Sequence, residues 1–121
     1  MTTNLFSLPI KIPIFKIENF CRRNHINKLS LFGSVLRDDF TANSDVDLLV
    51  EFQEGKTPGL AIIDLQDELS EIIGREVDLR TPHELSHFFR DRVLSEAVPI
   101  YDQVRRFNQI QTHTTSSKRS N

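Results

Sequence analysis

Two aspartates stand two positions apart in a short segment whose apolar and polar residues alternate. The apolar residues at alternate positions of this segment, 45–52, are Val46, Leu48, Val50 and Phe52. This alternation predicts a strand with one apolar face, and it places Asp45 and Asp47, about 7 Å apart, on the opposite face with Leu49 and Glu51. Asp is uncommon in strands, and two neighbouring negative charges repel each other unless a cation lies between them. Because aspartate oxygens suit Mg²⁺, a magnesium site is the first hypothesis.

A third aspartate occupies the corresponding place in the next predicted strand. Asp78 lies in the segment 76–80 between Val77 and Leu79, which are expected to face the core while Asp78 faces the other way. Three carboxylates from two strands can hold two metal ions, and paired metal ions promote in-line phosphoryl transfer. The alternative is a solvated strand face that tolerates acids. The apolar opposite face and the polar loop before Asp45 favour the metal site.

A glycine and a serine end the strand that precedes these carboxylates in the chain. The segment 28–32 predicts a short strand, and Gly33-Ser34 then leads into a brief helical turn at 35–38. Such a turn offers backbone N–H groups and a hydroxyl to a phosphate, and glycine permits close approach. Arg37 could neutralise phosphate oxygens. A Gly-Ser pair alone is usually a simple turn, so its significance depends on the acidic pair that follows.

The remaining apolar pattern indicates the elements that position these residues. Helical spacing is predicted at 13–23, at 60–73, where Gly74 ends the helix, and from the capping box Thr81–Glu84 onward. A last strand is predicted at 98–101. The order αβαβαβα, with that final strand, indicates a small α/β domain in which helices cover a mixed sheet.

Composition and charge narrow the classes of protein. The 121 residues are 38% hydrophobic and contain one Cys, which excludes a disulfide framework, and no segment predicts a membrane span or a secretory signal, so a cytoplasmic location is expected. Four basic residues and no acid fall in 105–121, which leaves 11 basic and 17 acidic residues, a net charge of −6, in 1–104. An acidic body argues against direct nucleic-acid binding. We therefore expect one domain at 1–104 and a disordered basic tail at 105–121.

Together these residues form a motif that resembles a known family. The motif consists of Gly33-Ser34-x-x-Arg37 and then Ser44-Asp45-x-Asp47, followed by Leu48-Leu49-Val50. It resembles the signature of polymerase-beta-like nucleotidyltransferases and, more closely, their minimal nucleotidyltransferase (MNT) domains, over residues 13–102. The resemblance implies that Gly33, Ser34 and Arg37 bind the nucleotide triphosphate. It also implies that Asp45, Asp47 and Asp78 bind two Mg²⁺ ions and that Asp78 helps to activate the acceptor hydroxyl.

The resemblance also implies a biological role. MNT domains are typically the antitoxins of toxin–antitoxin pairs with HEPN ribonucleases. The implied activity is transfer of AMP from Mg–ATP to a tyrosine hydroxyl of the HEPN partner, which inactivates it within a complex. Two alternatives remain: an antitoxin that acts by binding alone, and a nucleotidyltransferase that acts on a small molecule or an RNA. The chain departs from many relatives at Asp38 and Asp39, where a glycine is usual, and these acids are expected to turn outward.

A second motif suggests different chemistry. His83-Glu84-x-x-His87 matches the H-E-x-x-H pattern of zinc proteases. Glu84 is already explained by the capping box, both histidines fall in the predicted first turn of their helix, and no third ligand lies nearby in the sequence. We therefore interpret the two histidines as exposed or partner-facing residues of that helix.

Overall fold

The structure, a computed structural model, describes residues 8–104. Its helices are α1 (Ile14–Arg23), α2 (Ile62–Ile73) and α3 (His87–Glu96), and its strands are β1 (Ile26–Phe32), β2 (Val46–Phe52), β3 (Val77–Arg80) and β4 (Val98–Asp102). The strands form one sheet in the order β3-β2-β1-β4, in which β1 is antiparallel to β2 and β4, and β2 is parallel to β3. This is the predicted small mixed sheet with helices. The predicted tail, 105–121, lies outside the described residues.

The main core lies between one face of the sheet and the helices α1 and α2. Leu31 of β1 and Leu48 of β2 are register partners and are both fully buried. Ile17 and Phe20 from α1 and Leu69 from α2 are also fully buried and belong to the same apolar cluster. Burial of such side chains supplies about 1.5–3 kcal/mol each, so this cluster holds the helices on the sheet. No helix among residues 8–104 is long and apolar enough to cross a membrane.

The second face of the sheet is partly covered as well, which corrects one prediction. The alternation in β2 places Leu49 on the polar face, yet Leu49 is only 1% exposed. It packs with Phe32 of β1 and Val93 of α3, with Leu85 and Ala97 at the border of this small cluster. Because α3 folds back over this part of the sheet, the face that bears the aspartates has one apolar end and one polar end.

The capping box forms, but it does not begin the long helix that the sequence predicts. Thr81 and Glu84 cap only a 3₁₀ turn, Pro82–Glu84. Leu85 is then extended (φ −81°, ψ 142°), and α3 begins at His87. The guanidinium of Arg90 donates to the carbonyls of Pro82 (2.8 Å) and Leu85 (3.1 Å). The Pro82 carbonyl also accepts from the Leu85 N–H (3.2 Å). Arg90 thus adds two hydrogen bonds at the end of the 3₁₀ turn and stabilises the interruption before α3.

Two further boundaries differ from the prediction by a few residues. Strand β1 begins at Ile26 rather than at residue 28, because the side chain of Ile26 is fully buried in the main core. Helix α2 begins at Ile62, after a 3₁₀ turn that contains Leu60. Leu60 is 89% exposed and Ile63 is 58% exposed, so the buried side of this helix is narrower than the sequence pattern indicates.

Candidate active site

The parallel pairing of β2 with β3 brings two of the three aspartates together. Asp47 and Asp78 are register partners, as are their buried neighbours Leu48 and Leu79. Partners on adjacent parallel strands point to the same face, and the strands lie about 4.8 Å apart. Asp45 immediately precedes β2 and is exposed, whereas Asp47 is partly buried. The structure thus places Asp47 and Asp78 side by side, with Asp45 at the start of the same strand.

Electrostatics at Asp47 show that negative charge is concentrated here. Burial raises the pKa of the Asp47 carboxyl above its ordinary value, and the carboxylates of Asp78 and Asp45 raise it further. Arg80 and Arg37 act in the opposite direction, but the pKa remains raised. A site in which carboxylates repel each other favours a bound cation.

The Gly33 turn lies directly against this carboxylate. Phe32, the last residue of β1, is the register partner of Asp47, and Gly33 follows with a positive φ of +77°. A Cβ at position 33 would overlap Asp47 Oδ2 and would lie 3.2 Å from Asp47 Cγ. Only glycine fits both this backbone conformation and this contact. A group held on the backbone of the Gly33–Leu36 turn would therefore adjoin Asp47.

Ser34 and Arg37 lie in and just after this turn. The side chain of Val35 is buried and anchors the turn, and Arg37 N–H donates to the Ser34 carbonyl (2.9 Å). The Arg37 side chain is exposed and lies 3.6 Å from Asp39 in an ion pair. Asp38 and Asp39 are exposed, in agreement with the expectation that they turn outward. Arg37 and Gly33 also line a surface pocket whose other wall is α3, through Phe89, Arg92, Val93 and Glu96.

Sequence reasoning missed Arg75, which fixes the loop that leads to Asp45. Its Nη2 donates to the carbonyls of Thr41 (3.0 Å), Ala42 (3.2 Å) and Ser44 (2.9 Å). The guanidinium also lies 4.8 Å from the ring centroid of Phe40, in a cation–π contact. One side chain thereby organises the whole polar loop. The sequence contains no local signal for this role, since Arg75 simply follows the glycine that ends α2.

Arg80 is the second residue that sequence reasoning missed. Its Nε donates to Asp78 Oδ1 (3.0 Å) and its Nη2 to Asp78 Oδ2 (3.3 Å), so the guanidinium holds both carboxylate oxygens. Arg80 Nη1 also lies 3.8 Å from Glu84 Oε2. A signal was available in the sequence, because residues 78 and 80 of a strand share one face.

The donor set fits magnesium, although it is not assembled as a closed cage. Among residues 8–104, no three His, Cys, Asp or Glu side chains are arranged to hold a metal ion. Mg²⁺ in phosphoryl-transfer sites, however, is usually bound by one or two carboxylates together with substrate phosphates. Asp45 and Asp47 supply hard oxygen ligands. Because Gly33 has no Cβ, the backbone of its turn can lie directly against the Asp47 carboxylate. The residues present therefore fit Mg²⁺ bound together with a phosphorylated ligand.

The two histidines of the H-E-x-x-H motif do not share a helix. His83 lies in the 3₁₀ turn and His87 is the first residue of α3, with the extended Leu85 between them. The prediction that both lie in the first turn of one helix was wrong. A zincin site needs its two histidines one helical turn apart on the same helix face, so this geometry argues against such a site.

Comparisons with known proteins agree with this geometry. Residues 15–106 match the family model "Polymerase beta, Nucleotidyltransferase". An inferred protein adenylyltransferase of Methanocaldococcus jannaschii is 39% identical over 85 residues, which cover 70% of this chain and 90% of that protein. The protein adenylyltransferase MntA of Thermococcus cleftensis is 35% identical over 74 residues, which cover 60% of this chain and 73% of the relative.

Solved structures have the same fold. One described as a minimal nucleotidyltransferase superposes with a TM-score of 0.60 at 35% identity, over 71% of this chain and 87% of that chain. A toxin–antitoxin structure with AMP-PNP gives 0.61 at 20% identity, over 89% and 94%. A complex of tri-AMPylated HEPN toxin with MNT antitoxin from Shewanella oneidensis gives 0.55 at 19% identity, over 88% and 84%. The family model over residues 15–106 and the archaeal relative at 39% identity show that the chain, with its Gly-Ser turn set against paired strand carboxylates, belongs to the polymerase beta nucleotidyltransferase family.

Proposed function

We propose that this nucleotidyltransferase is an antitoxin enzyme that transfers AMP from Mg–ATP to a tyrosine hydroxyl of a HEPN ribonuclease toxin and so inactivates it. The observation that carries the proposal is the contact of the Gly33 turn with Asp47, which is itself the register partner of Asp78. A phosphate-binding turn, a metal-binding carboxylate and a candidate base thereby adjoin one another.

The proposed roles follow from these positions. Gly33 and Ser34 bind the triphosphate, and Arg37 neutralises its oxygens. Asp45 and Asp47, with Asp78, hold two Mg²⁺ ions. When bound, these ions polarise the phosphates and stabilise the charge that develops on the leaving group.

The reaction is a displacement at phosphorus. The acceptor hydroxyl oxygen forms a bond to the α-phosphorus of ATP, and the bond from that phosphorus to the β-bridging oxygen breaks. Pyrophosphate leaves, and the hydroxyl proton passes to the carboxylate of Asp78. Burial and the carboxylate of Asp78 both raise the pKa of the neighbouring Asp47, so negative charge is concentrated beside the proposed base.

The relatives support the partner and the acceptor class. The archaeal relatives are named protein adenylyltransferases, and the complex with the same fold contains an AMPylated HEPN toxin. The acidic body of this chain, with a net charge of −6 over residues 1–104, favours a protein acceptor over a nucleic acid.

Label transfer from Mg–ATP to a co-expressed HEPN toxin tests the proposal. We expect label from the α-phosphate and none from the γ-phosphate, with loss of transfer in Asp45→Asn/Asp47→Asn and in a toxin whose acceptor tyrosines are replaced by Phe. Glu54→Gln, an exposed loop variant, is the matched control and should retain transfer. Transfer of γ-label would indicate a kinase and overturn the mechanism. Inhibition of the toxin without label, unchanged in the aspartate variant, would indicate an antitoxin that acts by contact alone.

A further inference from the structure

Two polar side chains of α2 reach the edge of the sheet beside the candidate site. Strand β3 is an edge strand, because the strand order is β3-β2-β1-β4. The N–H of Val77 donates to Ser70 Oγ (3.0 Å). The N–H of Leu79 donates to Gln66 Oε1 (3.0 Å). Helix α2 thus binds the backbone of β3 immediately before and immediately after Asp78.

Both of these N–H groups point away from β2. The Val46 N–H donates to the Glu76 carbonyl (2.8 Å), so the backbone of residue 76 faces β2. Successive residues of a strand direct their backbone groups to opposite edges, so those of Val77 and Leu79 point to the outer edge. The outer edge of a sheet offers such groups no partner strand. Here α2 supplies the missing acceptors from its side chains.

The spacing of the two side chains matches the spacing of the two N–H groups. Residues 66 and 70 lie one turn apart on one face of α2, a rise of about 6 Å. Residues 77 and 79 lie two positions apart in β3, a distance of about 6.6 Å. The Ser70 hydroxyl also donates to the Gln66 carbonyl (3.0 Å), which leaves its lone pairs for the N–H of the strand. The helix and the strand therefore form two hydrogen bonds in matching register.

Strand β3 is the part of the sheet that is most easily displaced at the site. It has only four residues, Val77–Arg80, and β2 is its only neighbour in the sheet. Its Asp78 is the register partner of Asp47, and the two negative charges repel each other across the strands. A small shift of β3 away from β2 would separate these two carboxylates. The hydrogen bonds from α2 oppose that shift because α2 is itself held on the main core through Leu69.

We propose that Gln66 and Ser70 are positioning residues for Asp78, and that their hydrogen bonds to the outer edge of β3 hold its carboxylate beside Asp47. The inference rests on the proposed function, in which Asp78 is a metal ligand and the base. Both side chains act through the backbone of β3 rather than on the reacting groups.

Hydrogen exchange of single backbone amides, measured by NMR on the full-length chain, tests the two hydrogen bonds without any activity assay. We expect Gln66→Leu to accelerate exchange of the Leu79 N–H about fivefold, because this amide loses its acceptor, and to change exchange of the Val77 N–H by less than about twofold. Ser70→Ala should accelerate the Val77 N–H instead. Unchanged exchange of the Leu79 N–H in Gln66→Leu would overturn the inference.

The rate of label transfer tests the consequence for the reaction. At saturating toxin, we expect Gln66→Leu to lower kcat about tenfold, because Asp78 moves from its reactive position. The KM for Mg–ATP should change by less than about twofold, because the Gly33–Leu36 turn is not altered. Gln66→Glu keeps an acceptor oxygen at the same reach and should restore kcat to within about threefold of the unchanged protein. Gln66→Asn keeps the amide but is one methylene shorter, so it should resemble Gln66→Leu.

The matched control lies on the same helix. Glu68→Ala removes an ion pair between α2 and Arg23 of α1, in which the nitrogen and the oxygen are 2.6 Å apart, but no bond to β3. Its kcat and the exchange of both amides should stay within about twofold of the unchanged protein. Thermal unfolding of each variant verifies that it is folded.

The outcomes separate this inference from the proposed function. Transfer that persists in Asp45→Asn/Asp47→Asn would overturn the metal site of the proposed function. Loss of transfer in that variant, together with an unchanged kcat in Gln66→Leu, would overturn only the positioning role. A low kcat in Gln66→Leu that Gln66→Glu does not restore, or that Glu68→Ala shares, would indicate a general loss of structure and would also overturn that role.

Discussion

At the scale of single residues, the site depends on a glycine whose replacement would displace a neighbouring carboxylate. Gly33 combines a positive φ with a contact that any Cβ would turn into an overlap with Asp47. The strain of the positive φ can be separated from the overlap with Asp47 by comparison with Gly55. Gly55 has nearly the same φ, +75°, but nothing lies within 4 Å of the position that its Cβ would occupy.

We predict that Gly33→Ala lowers the rate of nucleotidyl transfer at least about tenfold. The added Cβ displaces the Asp47 carboxylate, and a displacement of even a fraction of an ångström from the reactive geometry slows a reaction by this much. Gly55→Ala should leave transfer unchanged, while both variants should lose about 1 kcal/mol of stability from the strained φ. Initial rates of label transfer and urea denaturation would be compared for the two variants. Equal rates for them would mean that the contact with Asp47 has no functional importance.

Asp47 is the residue with the clearest dependence on pH. Its folded-state pKa is raised above the ordinary value of 3.8. The folded state therefore holds this proton more tightly than the unfolded state, so stability falls as pH rises from the ordinary value through the raised one. This loss of folding stability is fully present above the raised pKa of Asp47 and is absent well below pH 3.8.

We predict that Asp47→Asn, measured in EDTA, melts about 1–3 °C higher than the unchanged protein at pH 7, because an amide carries no charge that burial desolvates or that Asp78 and Asp45 repel. The difference should shrink as the pH is lowered through the range of ordinary aspartates. Differential scanning calorimetry from pH 3 to pH 8 provides the measurement, with Glu54→Gln as the control. A difference that stays constant over this range would show that charge repulsion is not its cause.

At the scale of elements, one arginine determines the shape of the loop before β2. Arg75, which lies just after the end of α2, donates hydrogen bonds to three carbonyls of residues 41–44. It thereby ties the loop that precedes Asp45 to the end of the helix that connects β2 to β3.

We predict that Arg75→Ala destabilises the fold by about 1–2 kcal/mol, as expected for loss of several charge-assisted hydrogen bonds at a partly exposed site. Amide hydrogen exchange should accelerate at residues 41–46 and remain unchanged in β1. The comparison variant is Arg92→Ala, which removes an exposed ion pair with Glu96 at 3.2 Å and should cost less than about 0.5 kcal/mol. Unchanged exchange in the loop would contradict the anchoring role.

The elements also show what the sequence can and cannot predict. Strand alternation and helical spacing predicted the four strands and the helices α1 and α2 to within a few residues, because each pattern is local. The start of α3 was predicted less well, since this helix begins at His87 and not at the capping box. They could not predict that Leu49 is buried, since its cover, Val93, comes from a helix far along the chain. The capping box at Thr81–Glu84 is correct chemistry for a helix start, but tertiary packing of Leu85 limits it to one 3₁₀ turn.

For the candidate site, the sequence predicted the group formed by Gly33 and the aspartates, but it did not predict the arginines that hold Asp78 and the loop before Asp45. The motif placed Gly33 and the three aspartates in one region, and the structure brings Gly33, Asp47 and Asp78 together. The roles of these residues in binding and catalysis remain predictions. Arg80 was overlooked although its spacing from Asp78 was visible, whereas the contacts of Arg75 depend on a loop conformation that no periodicity encodes.

At the scale of the whole molecule, the single cysteine reports on folding. Cys21 is fully buried in the main core, and burial raises the pKa of its thiol to about 12. The thiol is therefore protonated and inaccessible in the folded state, and its labelling requires the domain to open.

We predict that Mg²⁺ with AMP-PNP, at about 100 times its dissociation constant, slows thiol labelling roughly 100-fold, because a ligand of the folded state lowers the open population in proportion to its binding. Labelling of Cys21 followed by mass spectrometry would measure this, and Asp45→Asn/Asp47→Asn should show much less protection. Full protection in that variant would mean that the nucleotide binds without the aspartates.

The parallel pairing of β2 and β3 determines when the site can exist. Parallel strands cannot be joined by a tight turn, so Asp47 and Asp78 become neighbours only after the crossover through α2 has closed. Such contacts between distant parts of a chain have high contact order and form slowly. A nascent chain that has emerged only as far as β2 thus has the turn and one strand of carboxylates but no complete site. A newly synthesised chain therefore brings Asp47 and Asp78 together only when β3 has joined the sheet.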